Sequence, residues 1–140
     1  MTEFGVDVSA EDIVDTLSFF DDWEERYKYI IDLGKELPPL AESAKTEQNL
    51  VRGCQSQVWL DSQLREGKLY FVADSDAFIV KGLLAIVLAA YNGKSAAQVA
   101  DYDIDAYFDE LNLLSHLSST RGNGLKAMVQ RIQNEGRAAL

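Results

Sequence analysis

SQVWLDSQLREGKLYFVADSDAFIVKGLLAIVLAAYNG, residues 56–93, is the stretch that decides the fold. In SQVWLD (56–61), Val58 and Leu60 point one way while Gln57, Trp59 and Asp61 point the other, the two-residue period of a half-buried strand. KLYFVAD (68–74) alternates similarly, and the REG between them is turn-like, so an antiparallel hairpin is predicted. AFIVKGLLAIVLAAY (77–91) is almost wholly apolar, with Ser75 and Asp76 offering helix-start chemistry and Asn92-Gly93 a stop. Lys81 interrupts it, and it is shorter than the ~20 residues that span a bilayer. It therefore reads as the buried central helix.

Working outward, Ser9 and Asp12 form a capping-box pattern ahead of Ile13, Val14, Leu17 and Phe20 at helical spacing. Asp21 or Asp22 caps a second helix with Trp23, Tyr27, Ile30 and Ile31 as its apolar face and Gly34 as a breaker near its end. LPPL (37–40) ends helical structure, a polar loop follows, and NLVRG (49–53) is a candidate short third strand. Beyond the central helix, Ser95 with Gln98 repeats the capping box, and DIDAYFDELNLL reads as one or two short helices. From about Arg121 onward, Leu125, Met128, Val129 and Ile132 share one helix face. The sum is α+β: a small antiparallel sheet of two to three strands packed against several helices. Residues 1–140 read as a single domain whose first ten or so residues are expected to be poorly ordered.

Charge and cysteine content narrow the function. With 13 basic against 23 acidic residues, a net charge of −10 opposes nucleic-acid binding and suits a basic face on a protein partner. One Cys and one His cannot furnish a zinc site or an iron–sulfur cluster within one chain, and no intramolecular disulfide can form. No metal and no cofactor are expected. The opening MTEFGVDVSAED lacks a basic n-region and an apolar h-region, so a cytoplasmic protein without membrane association is expected.

Cys54 sits in VRGCQSQVWL, on a predicted loop feeding a strand. A lone cysteine is often an inert buried thiol, yet a thiolate is also the strongest nucleophile among the side chains near neutral pH. The neighbouring sequence tips the balance. GCQSQVW (53–59), WEERYKYIIDLGKELPPL (23–40), DSDAFIVKGL (74–83) and HLSSTRGNGLKAM (116–128) together closely resemble the SufE family of sulfur acceptors, in order and spacing from about residue 12 to about residue 135.

The resemblance implies a fold similar to that of U-type iron–sulfur scaffolds, and a sulfur-transfer accessory protein more than a stand-alone enzyme. Its partner would be a pyridoxal-phosphate cysteine desulfurase, SufS-like or a paralogue, which this chain would activate. Cys54 would hold the persulfide, and the sulfur would pass to an iron–sulfur assembly scaffold such as SufBCD. The resemblance also implies a Cys54 loop packed on apolar residues; such a loop must open for the sulfur atoms to meet, and Gly53, which lacks a Cβ, is its natural hinge. Gly53, Gln55, Ser56, Gln57, Asp76, Lys81, His116 and Arg121 lie in the matching blocks as candidates for loop support or partner contact. Of these, Arg121 is favoured, because a guanidinium near Cys54 would stabilise a thiolate or persulfide anion.

Bland roles compete at each position: Asp76 as a helix-start residue, Lys81 as a snorkelling lysine, His116 as an ordinary polar residue, and Gln55 and Gln57 as strand-edge amides. Two other functions stand beside sulfur acceptance. One is a Cys-dependent hydrolase or transferase pairing Cys54 with His116, and the other a non-catalytic regulator of a desulfurase.

Overall fold

The computed structural model describes residues 4, 5, 7–38, 40–52 and 56–140. Among them are six α-helices and a three-stranded antiparallel sheet, the α+β class that was predicted. The hairpin joins β1 (Val58–Arg65) to β2 (Lys68–Ser75), in register from Val58 opposite Ser75 to Arg65 opposite Lys68. Glu66 (φ 51°) and Gly67 (φ 79°) make its two-residue turn, both left-handed as the twist of a tight hairpin requires. β1 outruns the predicted 56–61 because the ladder continues after burial has ended, into residues with no apolar alternation to announce a strand.

The third strand is not where the sequence suggested. β3 is Lys94–Ser95, two residues paired with Lys68 and Leu69. Gly93, at φ 75°, turns the chain into it and donates its N–H to the Leu69 carbonyl at 2.8 Å. Residues 49–51 instead make an isolated bridge along the other edge of β1, with Leu50 opposite Trp59.

The central helix, α3 (Phe78–Tyr91), is buried along nearly its whole length and lies between the sheet and the other helices in one apolar core. Among the described residues no helix is long and apolar enough to cross a membrane. Its tightest neighbour is α2 (Trp23–Lys35). There Gly34 is no breaker: the helix runs one residue past it, and Gly34 is where the two helices meet. A Cβ on Gly34 would stand 2.6 Å from the Gly82 nitrogen, and one on Gly82 would collide with the Ile30 carbonyl oxygen. Backbone therefore packs on backbone without intervening side chains.

Asp22 caps α2, and the predicted capping boxes form at Ser9/Asp12 for α1 (Ala10–Ser18) and at Ser95/Gln98 for α4 (Ala96–Asp101). α5 (Ile104–Leu111) follows, then a 3₁₀ turn at Leu114–His116 and the long α6 (Ser119–Ala138), which buries Leu125, Met128, Val129 and Ile132 as predicted. Of the face predicted for α2, only Ile30 is buried; Trp23, Tyr27 and Ile31 are half-buried on its flank. Phe4 is 2% exposed, and its carbonyl accepts from Asn92 Nδ2 at 2.8 Å. Asn92 Oδ1 in turn accepts from the Phe71 N–H at 2.7 Å, so one buried side chain ties the first residues to β2.

Two buried tyrosines make the fold sensitive to alkali. Tyr107 donates its hydroxyl to the Ile86 carbonyl at 3.0 Å, and Tyr91 accepts from Gln133 Nε2 at 2.9 Å. Burial raises both phenols, Tyr91 to about 12 and Tyr107 further. The unfolded chain thus loses these protons first, and stability falls as pH rises above about 10, with no effect near neutrality. Urea midpoints that stay level between about pH 9 and 11.5 would contradict this.

Candidate functional site

Cys54, Gly53 and Gln55 lie outside the described residues, so the site is defined by the frame that carries them. That frame begins with a stem. The Val51 N–H donates to the Val58 carbonyl at 2.7 Å and the Leu60 N–H to the Asn49 carbonyl at 2.8 Å, so both ends of segment 52–57 are tied to the sheet.

On the outgoing side the hairpin ladder is extended by side chains. Ser75 Oγ donates to the Gln57 carbonyl at 2.7 Å, and Asp76 Oδ1 accepts from the Gln57 N–H at 3.1 Å. The Asp76 N–H donates to the same Gln57 carbonyl at 3.3 Å. These bonds correct the predicted cap. Asp76 spends its carboxylate across the hairpin, and it is Ser75 Oγ that accepts from the Ala77 N–H at 3.2 Å at the start of α3. Gln57 acts here through its main chain, with an exposed residue surface.

Behind the stem, Asp74 is 8% exposed and receives two cations, Lys81 Nζ at 3.3 Å and Lys45 Nζ at 3.5 Å. Lys45 also lies 5.3 Å from the Trp59 ring centroid, within cation–π range. The buried carboxylate thereby joins α3, β2 and the chain that leads toward Cys54. Lys81 is not a free snorkelling lysine, and its ammonium is committed to this support.

Beside the frame is a cavity of about 60 Å³, lined by Ser56, Val80, Leu83, Thr120, Arg121, Gly124 and Met128. Its floor is apolar, and Ser56 is two residues from Cys54. Among the described residues Arg121 makes no ion pair, and its main-chain N–H is bonded to Ser118 Oγ at 3.2 Å. The structure therefore brings together Ser56 and Arg121 at the cavity, and Gln57 and Asp76 at the stem.

His116 is placed elsewhere. Its ring stacks on Trp23 with centroids 3.9 Å apart, Nδ1 lies 3.1 Å from both Ser115 Oγ and the Asn112 carbonyl, and its own carbonyl accepts from Tyr27 Oη at 2.6 Å. It lines neither this cavity nor a larger one of about 250 Å³ between α5 and α6, whose lining includes Asp105, Lys126 and Arg137. Val80, Leu83, Gly124 and Met128 were not singled out from sequence as site residues, although all lie within two of the quoted blocks. Among the described residues no three His, Cys, Asp or Glu side chains converge as a metal site would require.

Such a chain, with a cysteine segment held at both ends beside a small cavity carrying one guanidinium, has close relatives. The SufE family model, described as a Fe-S metabolism associated domain, matches residues 11–136. An uncharacterized SufE-like protein of Rhizobium etli is 48% identical over 133 residues, covering 92% of this chain and 90% of that protein. One from Rhizobium meliloti is 44% identical over 136 residues, covering 94% of this chain and 97% of its own. The solution structure of a hypothetical protein from Thermus thermophilus superposes with a TM-score of 0.76 over 93% of this chain and 94% of that one, at 19% identity, a likeness of fold.

Proposed function

Since the chain belongs to the SufE family, associated with Fe-S metabolism, we propose that it accepts sulfur from a cysteine desulfurase onto Cys54 and passes it on for iron–sulfur assembly. The observation that carries this reading is the frame. The segment tied at Val51–Val58 and Gln57–Asp76 contains the chain's only cysteine, two residues in sequence before Ser56, which lines a cavity together with Arg121, a side chain without an ion pair among the described residues.

In the transfer step the Cys54 thiolate attacks the outer sulfur of a persulfide on the donor's cysteine. The donor's sulfur–sulfur bond breaks as the new one forms, and the donor cysteine leaves as a thiolate. The proton lost from Cys54 and the one later taken up by the donor thiol balance, and no external oxidant or reductant is consumed. Arg121 supplies positive charge where an anionic sulfur is to be held, favouring the thiolate before transfer and the persulfide anion after it. The apolar floor formed by Val80, Leu83 and Met128 limits water beside that anion. A second exchange, with a thiol of a scaffold protein, releases the sulfur.

The test is to incubate the protein with free cysteine and a pyridoxal-phosphate cysteine desulfurase and to weigh the intact chain without reductant. One added sulfur atom, removed by a thiol reductant and mapped to the peptide holding Cys54, is expected. A chain that stays at its own mass while the desulfurase turns over would sink the proposal.

A further inference from the structure

We propose that Phe78 is the apolar anchor by which this chain docks on its sulfur-donating desulfurase, an inference that rests on the sulfur-acceptor reading. Phe78 is the first residue of α3 and is 70% exposed, while most of the helix behind it is buried. Exposing a phenyl ring to water forgoes the stabilisation its burial would bring. Scattered exposed apolar residues are common, so position has to decide what this one does.

Its position is fixed by the site's own frame. Two residues upstream, Asp76 is bonded in both directions to Gln57, and two residues downstream Val80 lines the cavity shared with Ser56 and Arg121. Three residues of chain from Cys54 to Gln57, a hydrogen-bonded crossing of about 5 Å to Asp76, and two residues from Asp76 to Phe78 reach at most about 23 Å when fully extended. A partner that brings its sulfur to Cys54 must cover the surrounding surface, and a standard interface of ~800 Å² per side is ~30 Å across. Phe78, on a rigid helix end, therefore lies within one interface diameter of Cys54, so a single protein donor can cover both. A rigid aromatic of this kind is what the energetically dominant positions of interfaces are made of.

The surroundings define the complementary face. Asp76 is exposed beside Phe78, and the chain as a whole carries a charge of −10. The donor is thus expected to offer an apolar socket bordered by cations. Steering by charge would set the association rate and its salt dependence, and filling of the socket would set the dissociation rate.

The experiment measures the affinity of the intact desulfurase for the parent, for Phe78→Ala and Phe78→Leu, and for Phe19→Ala, which truncates an 82% exposed phenylalanine after α1. Phe78→Ala is expected to raise Kd about tenfold or more through faster dissociation, with an unchanged association rate and salt slope. Phe78→Leu should recover part of the loss, Phe19→Ala should bind as the parent, and sulfur loading of Cys54 at saturating desulfurase should be preserved throughout. Because Phe78 is exposed and alanine favours helix, the fold survives the change, which circular dichroism verifies. Parent-like affinity in Phe78→Ala, with Cys54 still loaded, overturns the anchor and leaves the acceptor reading standing. A parent that neither binds the desulfurase nor takes sulfur overturns both.

Discussion

The Cys54→Ser variant is expected to take up no sulfur and to give no stimulation of the desulfurase, while folding like the parent. Serine replaces one atom of the side chain with a smaller one of the same valence. Its hydroxyl does not ionise near neutral pH, and an alkoxide has little affinity for sulfur as a leaving-group partner, so the exchange loses its nucleophile outright. Both readouts matter. Intact mass should show no added sulfur, and the rate of sulfide release by the desulfurase should remain at its value without the acceptor. A variant that still stimulated fully would mark the chain as a regulator, and one that lost stimulation but kept binding would locate the defect at the thiol.

The largest stability effect is expected at the α2–α3 contact. In Gly82→Ala the added methyl would lie 2.6 Å from Ile30 Cγ2 and 2.7 Å from the Ile30 carbonyl carbon, and it would collide with the carbonyl oxygen. None of these is the far end of a long side chain. The helices must separate, and overpacking of this kind costs about 1–3 kcal/mol even after alanine's helix preference is credited. For a chain of this size that is a fall in Tm of roughly 3–10 °C. Gly122→Ala is the paired control, because a Cβ there, on the first turns of α6, meets nothing within 4 Å. It should be neutral or raise Tm slightly. Equal melting temperatures for the two variants would contradict the contact.

The two glycines show why some of this fold was legible and some was not. Gly122 and Gly82 look alike in a sequence, and only the approach of a second helix makes one of them irreplaceable. Elements with a strong period were readable: the first half of β1, nearly all of β2, the apolar α3, the buried face of α6, and the caps at Ser9, Asp22 and Ser95. β3 was not, since two residues cannot display a period and its pairing depends on where Gly93 turns the chain. Trp23 and Tyr27 were read as core because they share a face with Ile30, but burial there depends on how the neighbouring 3₁₀ turn crosses α2. At the site, the four sequence blocks contained the residues that the structure places around the frame without saying which ones touch. Ser56 and Arg121 meet at a cavity, Asp76 is spent on Gln57 and Lys81 on Asp74, and no spacing rule separates those roles.

The Asn92 carboxamide also bears on how this protein ages. Asn-Gly is the dipeptide most prone to spontaneous deamidation, in which the glycine nitrogen attacks the preceding side-chain carbonyl to close a succinimide ring. Here both reactants are occupied: the Gly93 N–H is held by the Leu69 carbonyl, Asn92 Oδ1 by the Phe71 N–H, and Nδ2 by the Phe4 carbonyl. The folded state thus withholds the lesion, and an aspartate formed there during an unfolding excursion would face the Phe4 carbonyl with an oxygen where a donor is needed. Damage at this dipeptide therefore records time spent unfolded more than time elapsed, and once made it weakens the link that fastens the first residues to the sheet.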